Sequence, residues 1–318
     1  MTRENQFDVA IVGGGPAGLS AALILGRSRR RVLLADAGHP RNAPSRALHG
    51  YLTRDGVAPA TILRLGRREL ARYPTVEIRE AEVTAARVAR GGFRLSVGGR
   101  TAFASKLLLA TGLTDDVPDV PGMREHYGRG VFHCPYCDGF EVRDRPIAVY
   151  GRGSRGRALA SEILFWSANV VLLTDGPSRF SPRHRKELSD RGIAVRSDRV
   201  LRIEGNSRGV TGVVLENGPT IPAHALFFTQ RARQQSPLAA NLGCRFTSKG
   251  VVDTGRYQST NVPGLFVAGD ASRDVQFVIV AAAEGAEAAV RINSEMMREE
   301  LAARSSRGGR SRSVRRKF

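Results

Sequence analysis

Residues 7–25, FDVAIVGGGPAGLSAALIL, pass from a β-rich run (7–12) through the turn Gly13-Gly14-Gly15-Pro16-Ala17-Gly18 into an apolar helical stretch (19–25). Strand, tight turn and helix in that order make a dinucleotide-binding unit. Gly13 permits the turn, Gly15 lets the backbone approach a pyrophosphate, and Gly18 allows helix and strand to pack closely. The helix N-terminus adds free N–H groups and the positive end of its dipole. A second strand, 31–35, ends at Asp36, about 20 residues on, where an acidic side chain accepts hydrogen bonds from an adenosine ribose. A plain β–α connection would explain the glycines alone, but not the acid in register with them.

The pattern recurs. A strand at 146–150 leads into Gly151-Arg152-Gly153-Ser154-Arg155-Gly156, then a helix at 157–166 and a strand at 170–174 ending at Asp175. The fold class expected is therefore α/β, with two three-layer Rossmann-like dinucleotide-binding domains. Between the two units, 106–110 reads as a buried strand running into Thr111-Gly112, and 117–122 (VPDVPG) has the composition of an interdomain connection. A late strand, 263–267, precedes Ala268-Gly269-Asp270.

With 318 residues and 42% hydrophobic content, the chain can bury a large core and is long enough for two domains. Its formal charge is +19, and residues 304–318 (RSSRGGRSRSVRRKF) hold seven basic residues and no acidic one. A disordered, solvated basic tail is expected there. Only Phe318 is aromatic in it, so base stacking has little support and nucleic acid is not expected as a partner. The basic balance of the rest suits an acidic protein partner or an anionic cofactor. The N-terminus enters the first strand without the apolar stretch of a secretory signal, and no apolar run approaches the ~20 residues that span a bilayer. A soluble cytoplasmic protein with no membrane contact is expected.

Cys134-Pro135-Tyr136-Cys137-Asp138-Gly139 lies just before the second unit. In a reducing cytosol, three cysteines of which two lie three apart point to catalysis or metal binding before a structural disulfide. Cysteines at this spacing can close a small disulfide, and such an environment lowers the pKa of one thiol, whose thiolate is the nucleophile in exchange. Tetrahedral zinc wants four ligands, and the remaining cysteine, Cys244, has no paired His. No metal is expected, and Cys244 reads as a small buried hydrophobe.

These motifs together resemble the flavoproteins with two dinucleotide-binding domains, over nearly everything up to about residue 300. Cys-x-x-Cys-Asp-Gly narrows the resemblance to the low-molecular-weight thioredoxin reductase type within the pyridine nucleotide-disulfide oxidoreductases. Glutathione-reductase-type enzymes place a wider cysteine pair near the N-terminus and carry a further C-terminal interface domain. The resemblance implies FAD as cofactor, held by Gly13, Gly15, Pro16, Ala17, Gly18 and Asp36, by Ala110, Thr111 and Gly112, and by Gly269 and Asp270, the last toward the ribitol. Asp270 has a plainer reading as a turn or helix-capping residue. Gly151, Gly153 and Gly156 take the place of the nicotinamide nucleotide turn. A discontinuous FAD-binding domain (1–116 and 248–303) is implied, with an NAD(P)-binding-like domain (117–247) inserted and carrying the cysteines, followed by the tail (304–318). Cys137 is implied to lie nearer the flavin, Cys134 to exchange with the external substrate, and Asp138 to act as general acid/base. His133 is either a neighbour that holds a thiolate or a structural residue. A homodimer and a thioredoxin-like partner are implied as well.

Two departures bear on direction. The residues after the second turn and strand, Ser154-Arg155-Gly156-Arg157 and Asp175-Gly176-Pro177, lack the cationic cluster that binds a 2′-phosphate, and Asp175 favours a 2′-hydroxyl. NADPH or NADH as a second cofactor is thereby in doubt. Gln276-Phe277 stands where the family usually has Arg-Gln beside the flavin. These features resemble the gliotoxin- and holomycin-type dithiol oxidases, in which a small-molecule dithiol reduces the cysteine pair and oxygen regenerates the flavin. The function expected is transfer of two electrons between FAD and a dithiol or disulfide through Cys134 and Cys137. An oxygen-dependent dithiol oxidase is one alternative; a flavin-based redox sensor with a binding tail is another.

Overall fold

The structure is a computed structural model of the chain, and it describes residues 5–313. The chain divides into two compact units. The first comprises the residues up to Pro40, Ala60–Leu113 and those from Gln234 on; the second comprises Arg41–Pro59 and Thr114–Arg233.

In the first unit, β1 (Gln6–Val12), α1 (Pro16–Arg27), β2 (Val32–Asp36), α2 (Pro59–Leu70) and β3 (Val76–Glu80) follow in order. A meander of β4 (Val83–Ala89), β5 (Gly92–Val97) and β6 (Arg100–Leu109) comes next. Strands β3, β2, β1 and β6 lie side by side and parallel, and β17 (Leu265–Val267) adds to β6 in the same direction. The register sets Ile11 beside Leu34 and Leu108. Because side chains alternate across a strand, Val9, Ile11, Leu34, Leu108 and Phe266 bury one face with Leu19, Ala22 and Leu25 of α1 and Ala288, Ile292 and Met296 of α7 (Val278–Ser313). Ala10, Val12, Leu33, Leu107 and Val267 bury the other face with Phe93 and Leu95 of the meander.

The second unit repeats the plan on a smaller scale. Strands β8 (Val131–Phe132), β9 (Ile147–Tyr150), β10 (Val170–Leu173), β11 (Ala194–Arg196) and β15 (Ala225–Phe228) form a parallel sheet in the order β11-β10-β9-β15-β8. Ile147, Val149, Leu172 and Phe227 pack with Leu159 and Ile163 of α4 (Gly153–Ile163) and Leu188 of α5 (Pro182–Asp190). Ala148, Leu173, Leu226 and Phe228 pack with the antiparallel strands β12 (Val200–Asn206) and β13 (Gly209–Leu215). Both units are thus the three-layer Rossmann-like structures expected.

Three boundaries differ from the sequence-based expectation. Residues 41–59, assigned there to the FAD-binding domain, group with the second unit, where Arg41 pairs with Asp115 and Arg46 donates to the Ser207 carbonyl. Residues 234–247, assigned to the inserted domain, group with the first, because Leu238, Ala239, Leu242 and Cys244 enter its core. Residues 114–116, assigned to the FAD-binding domain, also group with the second unit; α7 is described as far as Ser313, into the basic run that begins at Arg304. The rest of that run, 314–318, lies outside the described residues.

Helices α1 and α7 cross so closely that a Cβ on Gly285 would fall on the Ala17 carbonyl. Replacing a helical glycine with alanine ordinarily gains about 1 kcal/mol. At Gly285 we expect the reverse, a loss of about 1–3 kcal/mol, because backbone must move. Gly66 in α2 is the control, since its added Cβ meets the flexible end of Leu19 at 3.0 Å. Gly66→Ala should leave thermal stability level or raised, and Gly285→Ala should lower it.

Candidate active site

The first glycine-rich turn is a place where backbone meets backbone. Gly13 has φ +108°, and a Cβ there would collide with the Ala110 carbonyl; a Cβ on Gly18 would collide with the Gly13 carbonyl. Ala110 in turn donates its N–H to Val12. Gly14 lies against the Asp36 carboxylate, and Gly15 opens onto free space. Gly15 caps α1 without a side-chain hydrogen bond and Pro16 occupies its first turn, so the remaining N–H groups of that turn have no side-chain cap. Gly269 (φ +80°) meets Ala17 and donates to Glu284, a 5% exposed carboxyl, at 2.7 Å. Burial raises the pKa of Glu284, against the pull of Gly269 and Arg273. Thr111 and Gly112 (φ +68°) follow Ala110, and the Gly112 carbonyl accepts from Gln235. Asp270 follows Gly269, Gln276 donates to the Arg273 carbonyl, and the Phe277 carbonyl accepts from Ala281. Asp36 accepts from Gly38 N and pairs with Arg67.

Gly13, Ala17, Gly18, Asp36, Ala110 and Gly269 therefore gather around one turn. A backbone cradle with no Cβ at Gly15 and unspent helix N–H groups fits a pyrophosphate, so the residues present suit FAD. Sequence reading missed Gly14, Arg67 and Glu284. Gly14 lies between two glycines already assigned, while Arg67 and Glu284 act from helices that only the fold brings close.

In the second unit, Cys134 and Cys137 are joined in a disulfide, with their Cα atoms 5.3 Å apart. Cys134 caps the single-turn helix α3 (Pro135–Asp138), and Pro135 presets its first residue. Gly139 is required because a Cβ would meet the Trp166 ring at 2.9 Å. Tyr136 stands edge-on to the same ring, centroids 5.4 Å apart. Burial pushes the Asp138 carboxyl up to about 7, with Glu141 adding to the rise and His49 opposing it. His49 Nε2 lies 3.6 Å from the Glu141 carboxylate.

The second glycine-rich turn keeps the contact between its first and last glycines, but its helix begins one position earlier, at Gly153, and the positive φ falls there and not at Gly151. Gly153 has φ +59°, and Gly151 and Gly156 are in close contact. Its second residue, however, is Arg152, which donates from Nε to the Thr174 carbonyl at 2.7 Å and from Nη2 to both the carbonyl and Oδ2 of Asp175. Asp175 Oδ2 also accepts from the Tyr150 hydroxyl at 2.9 Å, and Oδ1 from Val200 N at 2.9 Å. Burial first, then Asp175, push the Tyr150 phenol up to about 12. Both oxygens of Asp175 are thus engaged within the protein, as are both oxygens of Asp36 by Gly38 N and Arg67; what distinguishes the second turn is that one of the donors is its own Arg152. Cys244 is buried and unpaired, and burial raises its pKa.

Residues 7–285 match the pyridine nucleotide-disulphide oxidoreductase family, and the chain belongs to that family. It is an FAD-dependent enzyme of the thioredoxin reductase-like group. A protein described as thioredoxin reductase sirT, from Leptosphaeria maculans, is 31% identical over 96% of this chain and 98% of its own length. The crystal structure of HlmI superposes with a TM-score of 0.91 at 34% identity, covering 98% of this chain and 99% of that one. An oxidoreductase from Agrobacterium tumefaciens superposes at 0.85 with 35% identity, over 92% and 99%. No helix among the described residues is long and apolar enough to cross a membrane.

Asp138 should leave a signature in stability against pH. Its folded pKa of about 7 lies above the ~3.9 of an unfolded Asp, so its contribution is full below pH 4 and is lost as pH rises through 7. Asp138→Asn should therefore gain on the parent protein between pH 4 and 8, by on the order of a few kcal/mol, in chemical denaturation at fixed temperature. Parallel curves would remove the buried-acid reading.

Proposed function

We propose that the chain oxidises a dithiol, with Cys134 and Cys137 taking two electrons from substrate sulfur. The observation that carries this direction is the Arg152–Asp175 bridge. A ribose hydroxyl needs a carboxylate oxygen turned toward the glycine-rich turn. Here that space is crossed by a guanidinium from the turn itself, whereas the corresponding residue of the first turn is Gly14, which has no side chain to cross it. A 2′-phosphate would in addition face the charge of Asp175. Electrons then enter from sulfur.

In the proposed reaction a substrate thiolate attacks Cys134 Sγ, the bond to Cys137 breaks, and Cys137 leaves as a thiolate. The second substrate sulfur attacks the mixed disulfide, a substrate disulfide departs, and the enzyme pair is left reduced. Two substrate sulfurs lose two electrons, and the two cysteine sulfurs gain them. Asp138, poised near neutral pH, holds or moves the proton at Cys137. Gly13, Gly15, Gly18, Asp36, Gly112, Gly269 and Asp270 would hold FAD, which when bound would supply the two-electron acceptor chemistry needed to reoxidise the pair, with oxygen as the proposed terminal oxidant. Tyr136, Phe140 and Phe165 are 67%, 63% and 89% exposed in the unit that carries the disulfide, which favours an apolar small-molecule dithiol as substrate. The similarity to proteins named thioredoxin reductase supports a second reading, with a thioredoxin-like partner and the opposite direction of flow. We also propose a homodimer and a cytoplasmic location.

Anaerobic mixing with dithiothreitol, NADH or NADPH, followed by flavin absorbance, separates the two directions. The dithiol should bleach the flavin and neither nucleotide should; rapid bleaching by NADPH would establish the reductase direction instead. Cys137→Ser should stay yellow and lose disulfide turnover.

A further inference from the structure

We infer that His49 is a positioning residue for Asp138: together with Glu141 it forms an opposed pair of charges that sets whether the acid beside the cysteine pair carries a proton. Its part in turnover rests on the reading of Asp138 as the group that holds or moves the proton at Cys137. His49, Asp55, Asp138 and Glu141 all belong to the second unit.

The loop that carries His49 is closed on itself. Leu48 is buried; its N–H donates to the Val57 carbonyl at 2.9 Å, and its carbonyl accepts from Gly56 N at 2.9 Å. Asp55 Oδ1 accepts from Gly50 N at 2.8 Å and lies 3.5 Å from His49 Nδ1. Arg41 and Arg46 tie the same segment to Asp115 and to the Ser207 carbonyl. The imidazole is thus fixed through its own loop, with its side chain 19% exposed.

Glu141 comes to the imidazole from the cysteine helix. Gly139 has φ −68° and ψ −34°, so α3 continues in helical geometry into a further turn, Phe140–Val142. Asp138 and Glu141 stand three residues apart on that path, which makes them neighbours on one face. His49 Nε2 lies 3.6 Å from Glu141 Oε1. One ring nitrogen therefore faces Asp55 and the other Glu141. Among the described residues Nδ1 has no hydrogen-bond partner, so the ring acts here through charge.

The two neighbours act on Asp138 with opposite sign. The Glu141 carboxylate disfavours a second negative charge beside it, and a protonated His49 favours one. Because Asp138 is buried, neither effect is screened as it would be on the surface. The other charged groups of these segments are engaged locally: Asp55 with Gly50 N, Arg54 with the Thr53 carbonyl, and Arg143 with the Phe140 carbonyl and, at 3.9 Å, the Phe140 ring. The Tyr127 phenol, held protonated by burial and by the Asp115 charge, also feels Asp138. In the proposed exchange Cys137 leaves as a thiolate, and a protonated Asp138 is the acid that gives it a proton. Glu141 extends the pH range over which that acid is loaded, and a protonated His49 shortens it.

The Asp138 carboxyl can be followed by 13C NMR on holoenzyme labelled at the aspartate side-chain carboxyl, with Asp138→Asn assigning its signal. The pH at which it titrates should rise in His49→Gln and fall in Glu141→Gln, each by on the order of one pH unit. An unmoved or lowered titration in His49→Gln overturns the inference, and so does movement of both variants in the same direction, which loosened packing would give. The parent protein decides the matter even if the variants do not fold: the His49 ring proton signal should show an inflection at the pH where Asp138 titrates, because interacting groups titrate together. A His49 signal without that inflection overturns the inference. The consequence for turnover is read from the rate at which dithiothreitol reduces the Cys134–Cys137 disulfide, taken against pH as a ratio to Asp138→Asn. That ratio should exceed one at low pH and fall toward one as Asp138 titrates, with the fall displaced to higher pH in His49→Gln and to lower pH in Glu141→Gln. A parent ratio of one at every pH removes Asp138 from the proposed reaction, and the carboxyl titration still judges the pair.

Discussion

The first unit depends on a set of backbone crossings that leave no room for a Cβ. Gly13 against Ala110, Gly18 against Gly13 and Gly285 against Ala17 bring β1, α1, the end of β6 and α7 together at one point. Side-chain packing on either face of the sheet would be satisfied by many sequences of the right volume. The crossings are less tolerant, because the atoms in the way are carbonyl groups that cannot swing aside. The same closeness is what exposes the backbone at Gly15, so the constraint that shapes the fold also makes the cradle for a pyrophosphate.

The two glycine-rich turns share their first, third and last glycines and differ at the three positions between. At the second position of the turn, Gly14 lets the Asp36 carboxylate lie against the main chain, whereas Arg152 reaches over to Asp175 and engages it. Asp36 is not free of partners either, but its partner Arg67 comes from α2 and not from the turn. The glycine pattern of a nucleotide-binding turn can therefore coexist with a side chain of the turn bonded to its own acid.

Around the disulfide, two ionisable positions are set by opposite means. Asp138 retains its proton toward neutral pH because it is buried beside Glu141 with limited compensation from His49. Asp115 is buried too, yet stays charged because Arg41 meets it in two places. Two buried carboxyls take opposite protonation once a bidentate guanidinium is present at one of them. In the proposed chemistry the first acid exchanges a proton, while the second stays ionised.

The two Rossmann-like units, the cysteine pair and most of the glycine cradle are written in local patterns: strand, turn and helix in order, and two cysteines three apart. Asp175 was legible as the acid of the second turn, but its commitment to Tyr150, Val200 and Arg152 was not, since Val200 lies on a strand whose place is set by the sheet. The grouping of residues 41–59 with the second unit and of 234–247 with the first was likewise hidden, because it follows from Arg41 reaching Asp115 and from Leu238 and Leu242 entering a distant core. Which carboxylates are held, and by which partners, follows from the packing of elements distant in the chain. Pairing across 74 residues, as between Arg41 and Asp115, leaves no periodic trace in the chain.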